Sequence, residues 1–273
     1  MKHKSSLLFL AVLLLMSCNQ TNDKTIRHEE KAHANLDNEH NHWTYVGETG
    51  PEHWSEIEKQ SDCDGKRQSP INILDIDVVE DASLKPIETH YSSHVKIHEV
   101  TNNGHSIQYN FEKGDFISLE GNDYELKQIH FHEPSEHTIN GIRYPLEMHL
   151  VHANKDNKIA VIAVMAKEGE SSEAFTFLEN YLPIYNGDTK QIDKDFDINL
   201  NLPKNKTYYS YGGSLTTPPC TEDVSWFVFK DPITVSLEQV MELQKLMPVN
   251  NYRNTQPING RIVHQSSTQI GKM

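Results

Sequence analysis

The segment Gln128-Ile-His-Phe-His-Glu-Pro-Ser-Glu-His137 places His130 and His132 one residue apart. On an extended strand, alternate side chains share a face, and residues two apart lie roughly 6.5–7 Å along the axis. Two imidazoles leaning together from that spacing can both reach a zinc ion about 2.0–2.1 Å from their nitrogens. Spacing alone is weak evidence. With 16 histidines in 273 residues, chance supplies about 0.9 such pairs, and His40-Asn41-His42 is a second one. A later segment, Leu146-Glu-Met-His-Leu-Val-His152, puts Glu147, His149 and Val151 on one strand face and Met148, Leu150 and His152 on the other. His149 completes three imidazoles and leaves one tetrahedral position open, which marks a catalytic zinc site rather than a structural one.

Strands must carry these residues, and the surrounding sequence is rich in them. Val95–Val100, His105–Phe111, Phe116–Leu119 and Tyr124–His132 alternate with period two, with turn signals at Asn102-Asn103-Gly104 and Glu120-Gly-Asn-Asp123. Ile159–Ala166 is continuously apolar, as a strand buried on both faces requires. Two helices are expected. Ser171/Ser172 can cap one running through Glu179, with Phe175, Leu178 and Leu182 on one face. Ser236 and Gln239 form a capping box for a second, with Pro248 as its stop. No internal repeat or second domain boundary interrupts this sheet-dominated pattern.

The ends of the chain read differently. Lys2 and Lys4 precede the apolar run Leu7–Leu15, long enough for a signal-peptide core and too short to span a bilayer. Leu15-Met-Ser-Cys18 resembles a bacterial lipoprotein signal, so residues 1–17 are expected to be removed and Cys18 lipidated; secretion with Cys18 as a free thiol is the alternative. Residues 18–41 contain almost nothing large and apolar, which marks them as a flexible, His-rich spacer. His40 and His42 are read here as a coincidence of composition. The expected protein is exported to the periplasm or cell envelope and meets a membrane only through its lipid. If Cys18 carries lipid, Cys63 and Cys220 are left to form a disulfide in an oxidising compartment. Closing a loop of roughly 150 residues stabilises by about 4–5 kcal/mol on the chain-entropy account. The net charge of −14 argues against nucleic acid and against electrostatic attachment to anionic lipid.

Several separated segments together resemble the α-class carbonic anhydrases. They are Trp43-x-Tyr45, Gly50-Pro-Glu-His-Trp54, Gln68-Ser-Pro-Ile-Asn-Ile73, Asn102-Asn-Gly-His105, Gln128-x-His-Phe-His132, Ser135-Glu-His137, Glu147-x-His-Leu-Val-His152, Gly213-Ser-Leu-Thr-Thr-Pro-Pro219 and Asn259-x-Arg261. The resemblance implies one β-dominated α+β domain over residues 42–265, with a short tail at 266–273. Its expected core is a large central, mostly antiparallel twisted sheet with a few short peripheral helices.

The same resemblance implies one zinc ion per chain on His130, His132 and His149, and reversible hydration of CO2 to bicarbonate and a proton by zinc-bound hydroxide. Three-histidine catalytic zinc is the established chemistry of that family. Thr216 would accept the hydroxide's proton and Glu136 would accept from Thr216, since a carboxylate can only accept. Gln128, Glu147 and a backbone carbonyl near Asn251 would orient the three ligands. Val151, Val161, Leu215, Thr217, Val224 and Trp226 would line the CO2 pocket. His105 would shuttle the proton outward, with Tyr45 and Asn103 ordering the water between. His137 matches a structural histidine, and Cys63 and Cys220 match a disulfide of bacterial and secreted members. A homodimer is left open.

Two other functions make different demands on the sequence. A catalytically inactive carbonic-anhydrase-like binding domain would lack a zinc histidine, yet all three stand with Thr216 and Glu136. A metal-buffering lipoprotein would use the spacer histidines and bind several exchangeable ions.

Overall fold

Period-two alternation over most of the chain leads to paired strands. The computed structural model describes residues 42–182 and 184–267. The expected leader, Cys18, the 18–41 spacer and residues 268–273 lie outside them.

The first strands are β1 (Asn72–Ile73), β2 (Val79–Asp81), β3 (Glu88–His90), β4 (Val95–Asn102), β5 (Ile107–Phe111) and β6 (Phe116–Leu119). They are followed by β7 (Asn122–His132), β8 (Thr138–Ile139), β9 (Ile142–Arg143), β10 (Leu146–Ala153) and β11 (Ile159–Glu168). The last are β12 (Thr189–Phe196), β13 (Tyr208–Ser214), β14 (Glu222–Phe229), β15 (Ile233–Val235) and β16 (His264–Ser266). Ser266, at the start of the expected tail, therefore belongs to the sheet.

The main sheet runs β12-β4-β5-β7-β10-β11-β14-β13-β16-β2, with β15 against β11 and β6 joining β3 to β7. Its pairings are antiparallel except β11/β14, β11/β15 and β16/β2. A small second sheet is ordered β1-β8-β9. The chain is thus a large, mixed but mostly antiparallel sheet, as expected. The β6–β7 turn uses Glu120 and Gly121, both at positive φ (49° and 77°), the geometry of a two-residue hairpin.

Among the described residues, three short α-helices lie outside the sheet: α1 (Trp54–Ile57), α2 (Glu173–Glu179) and α3 (Leu237–Gln244). Ser172 caps α2 by accepting from Phe175 N, and Ser236 with Gln239 completes the capping box of α3. α3 stops at Gln244, short of Pro248. The Leu246 carbonyl there accepts from the Asn102 side chain instead of continuing the helix. No helix among the described residues is long and apolar enough to cross a membrane.

Strand parity divides the interior in two. One face of the central strands gives a large cluster containing Ile129, Phe131, Leu150, Ile162 and Phe227. The opposite face carries Val161, Ala163, Tyr211, Val224 and Trp226, with Val151 and Leu215 packed against them. The register aligns Gln128, Val151, Val161, Trp226 and Tyr211 across five neighbouring strands. His130 pairs with His149, and His132 with Glu147, in the adjacent rows.

Candidate active site

β7 and β10 bring the three histidines together because their register sets His149 opposite His130. One ring nitrogen from each of His130, His132 and His149 lies within 4.8 Å of the others. The remaining nitrogen of each ring turns outward to an acceptor. His130 Nδ1 meets Gln128 Oε1 at 2.9 Å, His132 Nδ1 meets the Asn251 carbonyl at 2.6 Å, and His149 Nε2 meets Glu147 Oε1 at 2.7 Å. All three partners accept and none donates through those atoms, so each imidazole must place its N–H there. The lone pairs of His130 Nε2, His132 Nε2 and His149 Nδ1 therefore point inward. Two of them, His149 Nδ1 and His130 Nε2, are 3.3 Å apart. His132 Nε2 is buried without any hydrogen-bond partner. Lone pairs converging in this way could hold a cation between them, and neutral imidazole is a preferred zinc ligand.

Burial keeps the rings neutral. It pushes His130 well below the usual imidazole range and His132 down to about 4, and it lowers His149 despite the opposing pull of Glu147. Burial also works against the Glu147 carboxylate, yet His137 and His149 outweigh it and hold that group well below the usual carboxylate range. Glu147 accepts from the backbone N–H of Glu136 and His137 as well as from both imidazoles. A second grouping, His137 with Glu147 and His149, is less suited to a metal. Its atoms are already spent on those bonds and on Tyr211, whose Oη lies 2.6 Å from His137 Nε2.

Glu136 is fully buried, and desolvation pushes its carboxyl up to about 7. Its Oε1 accepts from Arg253 N at 2.9 Å, while Oε2 has no hydrogen-bond partner and faces His132 Nε2 at 3.4 Å. The buried Thr216 hydroxyl stands close enough to draw the same carboxyl down. Gly213 lets this loop approach: a Cβ there would meet Ser69 Oγ at 2.2 Å and Trp226 Cδ1 at 2.9 Å. Val151, Val161, Leu215, Val224 and Trp226 form one apolar wall on the histidine face. The Trp226 ring lies 4.9 Å from that of His149. Thr217 is partly exposed, and its carbonyl accepts from Cys220 N.

The mouth of the site is built from distant segments. Trp43 stacks on His105 at 3.6 Å between centroids and 13° between planes. Asn103 Oδ1 accepts from the backbone N–H groups of His105 and Ser106, so it shapes the loop. Gly104 is required beside it: its φ is 83°, and a Cβ would come within 2.7 Å of Asn186 Oδ1. Tyr45 Oη is buried and unpartnered, and desolvation, then the Glu136 charge, raises its pKa well above the usual value. A cleft of about 470 Å³, lined in part by Trp43, Tyr45, Asn103, His105 and Val249, opens here and stops short of the three histidines. Cys63 and Cys220 form a disulfide, packed with Trp43, Tyr45 and Trp54.

Three features of the site had no sequence signal. His42, next to the His-rich spacer in sequence, meets His105 Nε2 to Nε2 at 2.9 Å. Arg253 donates its backbone N–H to Glu136 and clamps Gln68 Oε1, Ser69 O and Cys63 O through its guanidinium. His152 turns away from the site, as parity requires, but binds Tyr91 Oη at 2.7 Å. Of these groups only His152 lies on a strand, and only its face could be read in advance.

The comparisons with known proteins agree with this geometry. A family model described as eukaryotic-type carbonic anhydrase matches residues 49–267. A carbonic anhydrase of Klebsiella pneumoniae is 41% identical over 226 residues, covering 81% of this chain and 90% of that one. One from Neisseria gonorrhoeae is 36% identical over 257 residues, covering 93% and 95%. The solved α-carbonic anhydrase of Thermovibrio ammonificans, in complex with sulfanilamide, superposes with a TM-score of 0.78 at 41% identity, covering 82% of this chain and 98% of that one. Since the matched residues include every strand of the sheet that carries the three histidines, the chain belongs to the α-carbonic anhydrase family.

Proposed function

We propose that His130 Nε2, His132 Nε2 and His149 Nδ1 hold one zinc ion and that the site catalyses reversible hydration of CO2 to bicarbonate and a proton. The observation that carries this reading is the set of three inward lone pairs, each fixed by an acceptor-only partner. Zinc, when bound, supplies the Lewis acidity that makes water a nucleophile near neutral pH.

The chain's own residues do the rest. Glu136 can only accept when ionised, so it draws the Thr216 O–H toward itself and turns the Thr216 lone pairs to the reacting water. That water then presents its lone pair, not its hydrogen, to the incoming carbon. Val151, Val161, Leu215, Val224 and Trp226, with Thr217 at the edge, offer CO2 an apolar wall that competes poorly for water. His105 accepts the released proton at the mouth, with Tyr45 nearby.

Export and a lipid tether at Cys18 belong to the same proposal. The Cys63–Cys220 disulfide supports an oxidising compartment. CO2 hydration followed by pH-indicator stopped flow, with zinc content measured and His132→Ala as control, tests the site. Fast hydration at one zinc per chain, lost in the control, is the expected result. A folded, zinc-loaded chain without activity would overturn it in favour of a binding role.

A further inference from the structure

The loop that carries Glu136 is docked first on its own hairpin. Ser135 N donates to the Tyr144 carbonyl and Tyr144 N to Ser135 Oγ, both at 2.9 Å. β9 pairs Arg143 with Thr138, which turns the neighbouring guanidinium back toward this loop. Arg143 Nη1 donates to the carbonyls of Ser135 and Glu136. The same guanidinium lies over the Tyr252 ring, with Cζ 3.9 Å from the centroid. Tyr252 stands between Asn251, whose carbonyl accepts from His132, and Arg253, whose N–H donates to Glu136 Oε1 at 2.9 Å.

We propose that Arg143 is a positioning residue for the Glu136 carboxylate, clamping the Glu136 backbone to the 251–253 segment. The inference rests on the reading of Glu136 as the acceptor of the Thr216 hydroxyl. Arg143 touches no reacting group and acts only through Glu136.

Several torsions separate the Glu136 backbone from its carboxyl, so aiming Oε2 requires that both ends be held. Arg253 N fixes the carboxyl end and Arg143 fixes the carbonyl end. Tyr252, adjacent to Arg253, keeps those two anchors in one frame. A planar, weakly hydrated guanidinium suits the task, because it can stack on an aromatic face while its N–H groups donate in its own plane. Arg143 and Tyr252 are both half-buried, which strengthens the contact over a fully exposed pair. His132 is anchored separately. The Asn251 side chain donates to the Phe131 carbonyl at 3.0 Å and accepts from Glu133 N at 2.7 Å, bracketing that ligand without help from Arg143.

The test compares full-length wild type, Arg143→Ala, Tyr252→Leu and the double variant in CO2 hydration, with zinc affinity read by chelator competition. Arg143→Ala should lose about three- to thirtyfold in kcat/KM, short of the roughly 10²-fold that a misplacement of about 1 Å can cost. Zinc affinity should hold. Tyr252→Leu should lose a similar factor, and the double variant no more than the larger single loss, because the two side chains form one contact. Millimolar guanidinium chloride should restore Arg143→Ala but not Tyr252→Leu, with sodium chloride at equal ionic strength as control. In a Thr216→Val background, Arg143→Ala should cost nothing further. An unchanged kcat/KM in Arg143→Ala, zinc lost in proportion to activity, additive losses, failure of guanidinium to rescue, or a full loss without the Thr216 hydroxyl would each overturn the clamp. Absence of hydration in the wild type would sink the zinc-site reading as well, whereas an active wild type with an indifferent Arg143→Ala sinks the clamp alone.

Discussion

His132 Nε2 and Glu136 Oε2 face each other at 3.4 Å in the interior, and neither has a hydrogen-bond partner. With the His132 N–H committed to the Asn251 carbonyl, a lone pair confronts a carboxylate oxygen. Burial, with the Glu147 charge adding to it, raises the Glu136 carboxyl to about 7, so the pair is uneasy without a nearby positive charge. A divalent cation on the three inward nitrogens relieves both groups. Stripping zinc with a chelator should therefore lower the melting temperature, and zinc returned at 1,000 times its Kd should add about 4 kcal/mol. Calorimetry with and without metal measures this; identical melting curves would remove zinc from the site.

Orientation and chemistry should separate by mutation. Gln128→Ala removes the acceptor that fixes the His130 tautomer, and should weaken zinc about 10- to 100-fold in a chelator competition. Thr216→Val keeps the volume and loses the hydroxyl. It should retain full zinc affinity while kcat/KM drops on the order of 10²-fold from misorientation of the reacting water. If Thr216→Val loses metal in proportion to activity, its assigned role is wrong.

The Cys63–Cys220 bridge spans 157 residues and packs against Trp43, Tyr45 and Trp54. Replacing both cysteines by serine should cost about 2–5 kcal/mol in urea unfolding. The same change should loosen the Trp43 face on which His105 stacks, so kcat at low buffer should fall more than kcat/KM. Equal losses in both would point to damage at the three histidines instead.

Burial holds His152 down to about 4, beside the Tyr91 hydroxyl. Between that value and the ordinary imidazole value near 6.5, the unfolded chain binds a proton that the folded chain refuses. Stability contributed by this group is therefore complete above pH 6.5, falls as pH drops toward 4, and levels off below. The full effect is roughly 3 kcal/mol. His152→Gln should flatten that part of the urea-unfolding profile between pH 7 and 4.5. An unchanged slope would assign the acid sensitivity to other groups.

Much of the site was legible because strand periodicity is local. Residues Gln128, His130 and His132 had to share a face once Tyr124–His132 was a strand, and the same parity put His149 with Glu147 and sent His152 to the other side. The capping box of α3 was equally local, since Ser236 and Gln239 are three residues apart. Carbonic-anhydrase resemblance then supplied Thr216, Glu136 and the apolar wall, which periodicity could not have singled out.

What the sequence by itself determined is therefore the set of residue types and the face on which each strand presents them. Tertiary structure alone decided which strands became neighbours and in what register. That step set His149 against His130, carried the Asn251 carbonyl to His132, and placed Arg253 beside Glu136. It also brought His42 onto His105, a pairing that composition had made look accidental. The physical reason is separation along the chain: backbone carbonyls carry no side-chain signature, and contacts across 63 or 119 residues depend on packing that no local pattern encodes.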